Sequence, residues 1–190
     1  MIEFIRGPMV WVAFIIFIVG TVYQVWRLIS LTRRADLAHP APPKSAGAQE
    51  EVPAYRRSFR YRMAMLKLTI WGVQPVVAAV SLIFHICLII VPIFLLAHND
   101  MLDVSYGVNL PSFPEGFADT LTLIILLAGL FFLLRRLFVP RVRAISAPID
   151  FVMLAIALAP YLTGYLAYHQ VGGYESLMIA HMVTGELMLI

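Results

Sequence analysis

Apolar residues in this chain arrive in blocks of about 20, the length one α-helix needs to cross a hydrocarbon layer of roughly 30 Å. The blocks cover residues 9–28, 70–97, 119–138, 149–168 and 176 to the end. A soluble helix carries an apolar stripe on one face; these segments are apolar all round. Hydrophobic residues make up 61% of the 190 residues and charged residues 13%, against about 45–50% and about 25% in a soluble domain. The sequence therefore predicts an all-α fold: an integral membrane bundle of five transmembrane helices, forming a single membrane domain over 1–190. Pro75 and Pro92 lie inside the second block, where kinks are expected. The fifth block reaches Ile190 after only 15 residues without a polar flank, so its helix is expected to be truncated there.

Charge predicts the orientation. Nine of the 14 Lys and Arg residues fall between Arg27 and Lys67, and Arg135, Arg136, Arg141 and Arg143 fall between the third and fourth blocks. Residues 98–119 contain neither Lys nor Arg, but hold Asp100, Asp103, Glu115 and Asp119. By the positive-inside rule, 36–62 is a cytoplasmic loop, 98–119 is an outer loop and the N-terminus is outside. The first block is preceded by Arg6 alone and followed by Arg27, Arg33 and Arg34 with no small-residue cleavage site. It reads as a retained helix rather than a signal peptide. Within the cytoplasmic loop, LAHPAPPKSAGAQEEVPA reads as an extended linker. The basic YRRSFRYR after it is either a docking surface for a partner or lipid head groups, or simply the positive-inside signal.

Four of the five histidines lie within apolar blocks or at their ends: His85, His98, His169 and His181. A ring nitrogen in hydrocarbon is costly unless something binds it. Axial ligation of haem iron by histidine pairs on facing helices would do so. His98, His169 and His181 fall in the outer half of the membrane. His85 precedes His98 by 13 residues, so it lies roughly 20 Å deeper. On a straight helix the two would be about 140° apart and share no face; Pro92 between them is a device that can change that phase. His98 and His169 adjoin the polar Asn99 and Gln170, where an interfacial histidine is ordinary. His85 and His181 have no polar neighbour and favour ligation. Gly185, one turn after His181, would let a macrocycle approach the backbone. Glu186 is a carboxylate in an apolar segment, so it is a candidate for proton transfer or quinone binding, with an interhelical hydrogen bond as the plain alternative.

The single cysteine, Cys87, cannot form an internal disulfide, a zinc knuckle or an iron–sulfur cluster. With no C-x-x-C-H, any haem would be b-type. No phosphate loop, nucleophile elbow or H-E-x-x-H occurs, and nothing points to nucleic acid.

LIFHICLIIVPIFLLAHN in the second block and IAHMVTGELMLI in the fifth resemble the gamma-subunit family of respiratory nitrate reductase. That family is a five-helix dihaem cytochrome b with its N-terminus outside. The likeness is closest to relatives in sulfate reducers and allied anaerobes, and covers most of the chain from about residue 70. It implies that His85 is a ligand of an inner haem, and that His98 and His181 are ligands of an outer haem. A fourth ligand is implied beyond Ile190. The family's second-helix histidines are closer together than 13 residues, which brings in His169 as an alternative outer ligand.

The expectation is a membrane cytochrome b subunit in the bacterial inner (cytoplasmic) membrane. It would exchange electrons between the menaquinone pool and iron–sulfur subunits through one or two b haems, with a multihaem cytochrome c as a further candidate partner. It would be an electron-transfer subunit rather than a complete enzyme. A haem-free membrane anchor and a His/Glu-lined proton pathway are the alternatives.

Overall fold

The computed structural model describes residues 4–38 and 70–190, and among them every regular element is helical. Most of the cytoplasmic loop expected at 36–62 therefore lies outside the described residues. A π-helical turn at Ile5–Met9, holding Pro8, leads into α1 (Val10–Ala38). Then come α2 (Ile70–Val73), α3 (Pro75–Phe94), α4 (Leu96–Tyr106), α5 (Glu115–Phe138), α6 (Pro140–Arg143), α7 (Pro148–Tyr168) and α8 (Tyr174–Leu189). Four helices are long and apolar enough to cross a membrane: Gly7–Thr32, Pro75–Phe94, Glu115–Phe138 and Pro148–Tyr168. This is a multi-pass membrane protein. At 16 residues, α8 is shorter than those four.

Proline punctuates the helices where its missing N–H is harmless or useful. Pro140 and Pro148 begin α6 and α7, where the first N–H groups have no helical acceptor. Asp150 then accepts the Ala147 N–H at 2.9 Å and closes the α7 N-terminus. Gly107 ends α4 at φ +67°, a left-handed conformation that suits glycine.

The chain divides into two compact units, one from Met1–Phe14 with Val80–Ile190 and the other Ile15–Ala79. In the second unit, α1 from Ile15 onward carries exposed apolar side chains such as Ile18, Val19 and Val22. Water would not tolerate that surface, but acyl chains would.

The first unit has a core of Phe84, Cys87 and Val91 from α3, Leu121, Ile125 and Ala128 from α5, and Tyr161 from α7. Outside it, Ile83, Ile86, Ile89 and Ile93 of α3 and Leu123, Leu127, Leu130 and Leu134 of α5 are exposed. Both rows follow the helical period, so each helix has one protein-facing and one lipid-facing side. Gly129 of α5 lies against Leu158 of α7, the close approach that small residues permit in membranes. Threonine hydroxyls are satisfied within their own helices: buried Thr122 donates to the Ala118 carbonyl at 2.9 Å, and half-buried Thr163 to Ala159 at 2.7 Å.

The second apolar block is not one helix. It stops at Phe94, and Leu95 is extended (φ −74°, ψ 127°) before α4 begins. The segment expected to be loop from residue 98 is therefore helical through Tyr106, and 107–114 makes the connection to α5. The break has a physical cause. The last four carbonyls of a helix lack intrahelical donors and need others. Here Phe94 accepts the N–H of Phe113 at 2.8 Å, and Pro92 accepts a side-chain N–H from α4. Asn99 secures the same connection, donating from Nδ2 to Pro111 O at 3.2 Å and to Ser112 Oγ at 2.8 Å.

Candidate functional site

The break at Leu95 decides where His98 goes. It puts His98 on a separate helix, α4, so the 140° phase of a continuous helix no longer applies. The ring faces His181 of α8, with centroids 6.0 Å apart and planes inclined by 26°. That separation is within the range of a displaced pair of aromatic rings. A shared metal ion would ask for a similar spacing. Two imidazole–metal bonds of about 2.0–2.1 Å, with the ring radii added, put the centroids about 6.3 Å apart.

Each ring is oriented by a backbone carbonyl. His98 Nδ1 lies 2.9 Å from Pro92 O, and His181 Nδ1 lies 2.8 Å from Pro160 O. A carbonyl accepts only, so both Nδ1 atoms carry the proton and both Nε2 lone pairs are left for a Lewis acid. Metal-binding histidines are commonly held this way. His181 also lies over Gly164 of α7. A Cβ there would stand 2.8 Å from ring atoms Cε1 and Nδ1. The proline that accepts and the glycine that makes room are four residues apart, on one face of α7. Thr184 Oγ1 of α8 lies 3.4 Å from Thr163 Oγ1 of α7 beside this seat.

The other candidates lie elsewhere. His85 is exposed on α3, with Nδ1 2.6 Å from Ser81 O. It lines an open cavity of about 460 Å³ with Phe84, Phe132, Leu154, Arg135 and Arg136. Arg136 of that wall bonds Asp150 at 3.2 Å and Ser146 Oγ at 3.3 Å. His169 is not beside the His98–His181 pair. Its Nε2 lies 3.2 Å from Asp119 Oδ2, and its ring packs on Tyr165 with centroids 4.4 Å apart. Glu186 is buried at 5% exposure, and neither carboxylate oxygen has a partner among the described residues. No cluster of three or more His, Cys, Asp or Glu suited to a metal ion occurs among them either. What the geometry offers is a two-imidazole site.

Little in the residue pattern pointed to Gly164, Asn99 or the two proline carbonyls. The available signal was the prolines. A proline inside an apolar helix leaves the carbonyl four residues earlier without its donor, and such a carbonyl needs a side chain from elsewhere. Tyr161 does this for Pro92: its hydroxyl donates to Leu88 O.

No known family's sequence profile matches the chain, and no solved structure does. It is similar to a protein of Nitratidesulfovibrio vulgaris (strain Hildenborough), described only as "Protein", with 35% identity over 191 aligned residues. The alignment takes in 100% of this chain and 83% of that relative. At that identity over its whole length, the chain belongs to the same family as this Nitratidesulfovibrio vulgaris protein.

Proposed function

We propose that the protein is a membrane cytochrome b subunit of the bacterial cytoplasmic membrane, in which His98 and His181 would hold a b-type haem. The observation that carries this reading is the pair itself. Two imidazoles from different helices are held 6.0 Å apart, each with Nδ1 on a backbone carbonyl. The residues present suit the group. Iron between two neutral imidazoles asks for that spacing and tautomer, and Gly164 leaves room for the ring of His181. When bound, haem would supply one-electron chemistry between a quinol donor and the iron–sulfur centres of partner subunits. The chain's own part is to hold the rings, exclude water and set the distance.

Charge supports five crossings with the N-terminus outside, α8 being the fifth. In that orientation the His98–His181 pair lies in the outer half, towards the acidic 98–119 segment. Menaquinol would be oxidised near it, with Glu186, a buried carboxyl lacking a described partner, as the proton acceptor. His85, in its cavity beside Arg135 and Arg136, would hold a second, inner haem once a further ligand is supplied. An iron–sulfur protein, with a multihaem cytochrome c as a further candidate, would complete the relay.

The test is a reduced-minus-oxidised spectrum of the complex purified in detergent, with haem extraction. Wild type should show b-type haem, and His181→Ala and His98→Ala should each lose one haem per chain while still inserting into the membrane. Haem content equal to wild type in both variants would overturn the assignment.

A further inference from the structure

We infer that Gly164 is a positioning residue for the His98–His181 site, its lack of a side chain setting the depth at which the His181 ring seats against α7. The inference rests on the proposed haem ligation and concerns what makes the ligand spacing possible.

The three nearest atoms to a Cβ at Gly164 all belong to His181: Cε1 and Nδ1 at 2.8 Å and Cγ at 3.6 Å. The contact is with the body of the ring, which cannot fold out of the way as the tip of a leucine can. To restore ordinary contact at about 3.4 Å, the ring must recede by about 0.6 Å. The same ring is tethered to α7 through Nδ1 on Pro160 O at 2.8 Å. Moving away from Gly164 disturbs that bond. One methyl group would thus alter both ring depth and tautomer control, in a site that tolerates errors of about 0.5 Å. By contrast, a Cβ at Gly116 on α5 meets nothing within 4 Å.

The test compares Gly164→Ala with wild type and Gly116→Ala, all purified from membranes. Haem is read as haem per polypeptide, as the low-spin signal in electron paramagnetic resonance, and as the reduction midpoint. Gly164→Ala is expected to bind haem about 10- to 100-fold more weakly, the scale seen when groups that orient a metal ligand are altered. Any haem it retains should show displaced g-values and a shifted midpoint, whereas Gly116→Ala should match wild type in all three. If Gly164→Ala fails to accumulate, combining it with His181→Ala should restore accumulation to the His181→Ala level, because the ring is what the methyl meets most closely. Gly164→Ala with wild-type haem content, g-values and midpoint would overturn the inference and leave the haem reading intact. So would a double variant that stays absent. A wild-type complex without haem would instead defeat the functional reading on which the inference depends.

Discussion

Tyr161→Phe removes a single hydroxyl from the core, and its cost should depend on a proline in another helix. The Tyr161 hydroxyl donates to Leu88 O across α7 and α3. Leu88 is four residues before Pro92, so its carbonyl lacks the helical N–H that any other residue at 92 would supply. Without Tyr161 the carbonyl is orphaned in an apolar core. Interhelical hydrogen bonds in bilayers average about 0.6 kcal/mol and reach about 1.7. An acceptor with no alternative donor belongs at the upper end, so Tyr161→Phe should cost about 1.5 kcal/mol, roughly 12-fold in the unfolding equilibrium. The phenyl ring keeps the packing of Tyr161, which is only 9% exposed, so little of that loss comes from a cavity. In a Pro92→Ala background the N–H of residue 92 returns, and the same substitution should cost about 0.5 kcal/mol. The assay is reversible unfolding in bicelles, followed by steric trapping, for all four members of the cycle. Equal costs of Tyr161→Phe in both backgrounds would refute the link between the proline and the tyrosine.

Ile125, fully buried between α3, α5 and α7, should cost about 2 kcal/mol when changed to Ala, measured in the same bicelles. That is the lower end of the soluble range, because lipid is as apolar as the core and only the cavity contribution remains. His169→Ala should retain the haem content of wild type by optical spectrum and lose less than about 1 kcal/mol, since its partner is Asp119 in an exposed pair. Glu186→Gln should slow menaquinol-driven haem reduction, followed by stopped flow; a wild-type rate across pH would remove Glu186 from proton transfer.

Apolar run length is a local property, and it was enough to place the cores of α1, α3, α5 and α7 within a few residues. Helix ends were less legible. Residues 98–106 are too polar to read as membrane helix, yet they form α4, because Asn99 and the carbonyls of Pro92 and Phe94 have partners only once the chain turns back. The same turn brings His98 and His181 together. Spacing along one helix could not reveal that, since a break at Leu95 resets the phase of everything after it. His169 illustrates the opposite case: it is as near a helix end as His98, but Asp119, 50 residues earlier, claims it. Gly164 was invisible because a glycine in an apolar helix carries no pattern until the ring opposite is known.

The Asp119–His169 contact and the Arg136–Asp150 ion pair have a consequence at the scale of the bilayer. Asp119–His169 joins the start of α5 to the end of α7, and Arg136–Asp150 joins the end of α5 to the start of α7. Seventeen residues of α5 separate Asp119 from Arg136, about 26 Å of rise, close to the thickness of a hydrocarbon core. All four side chains keep about a third of their surface exposed, as head-group residues do. The antiparallel pair is thus a gauge with a polar mark at each end. Sliding it in either direction draws one mark into the acyl layer, and so does seating it in a thicker membrane. A thicker bilayer must thin around the protein instead. The vertical level of every side chain on α5 and α7, Gly164 included, is thereby set against the lipid.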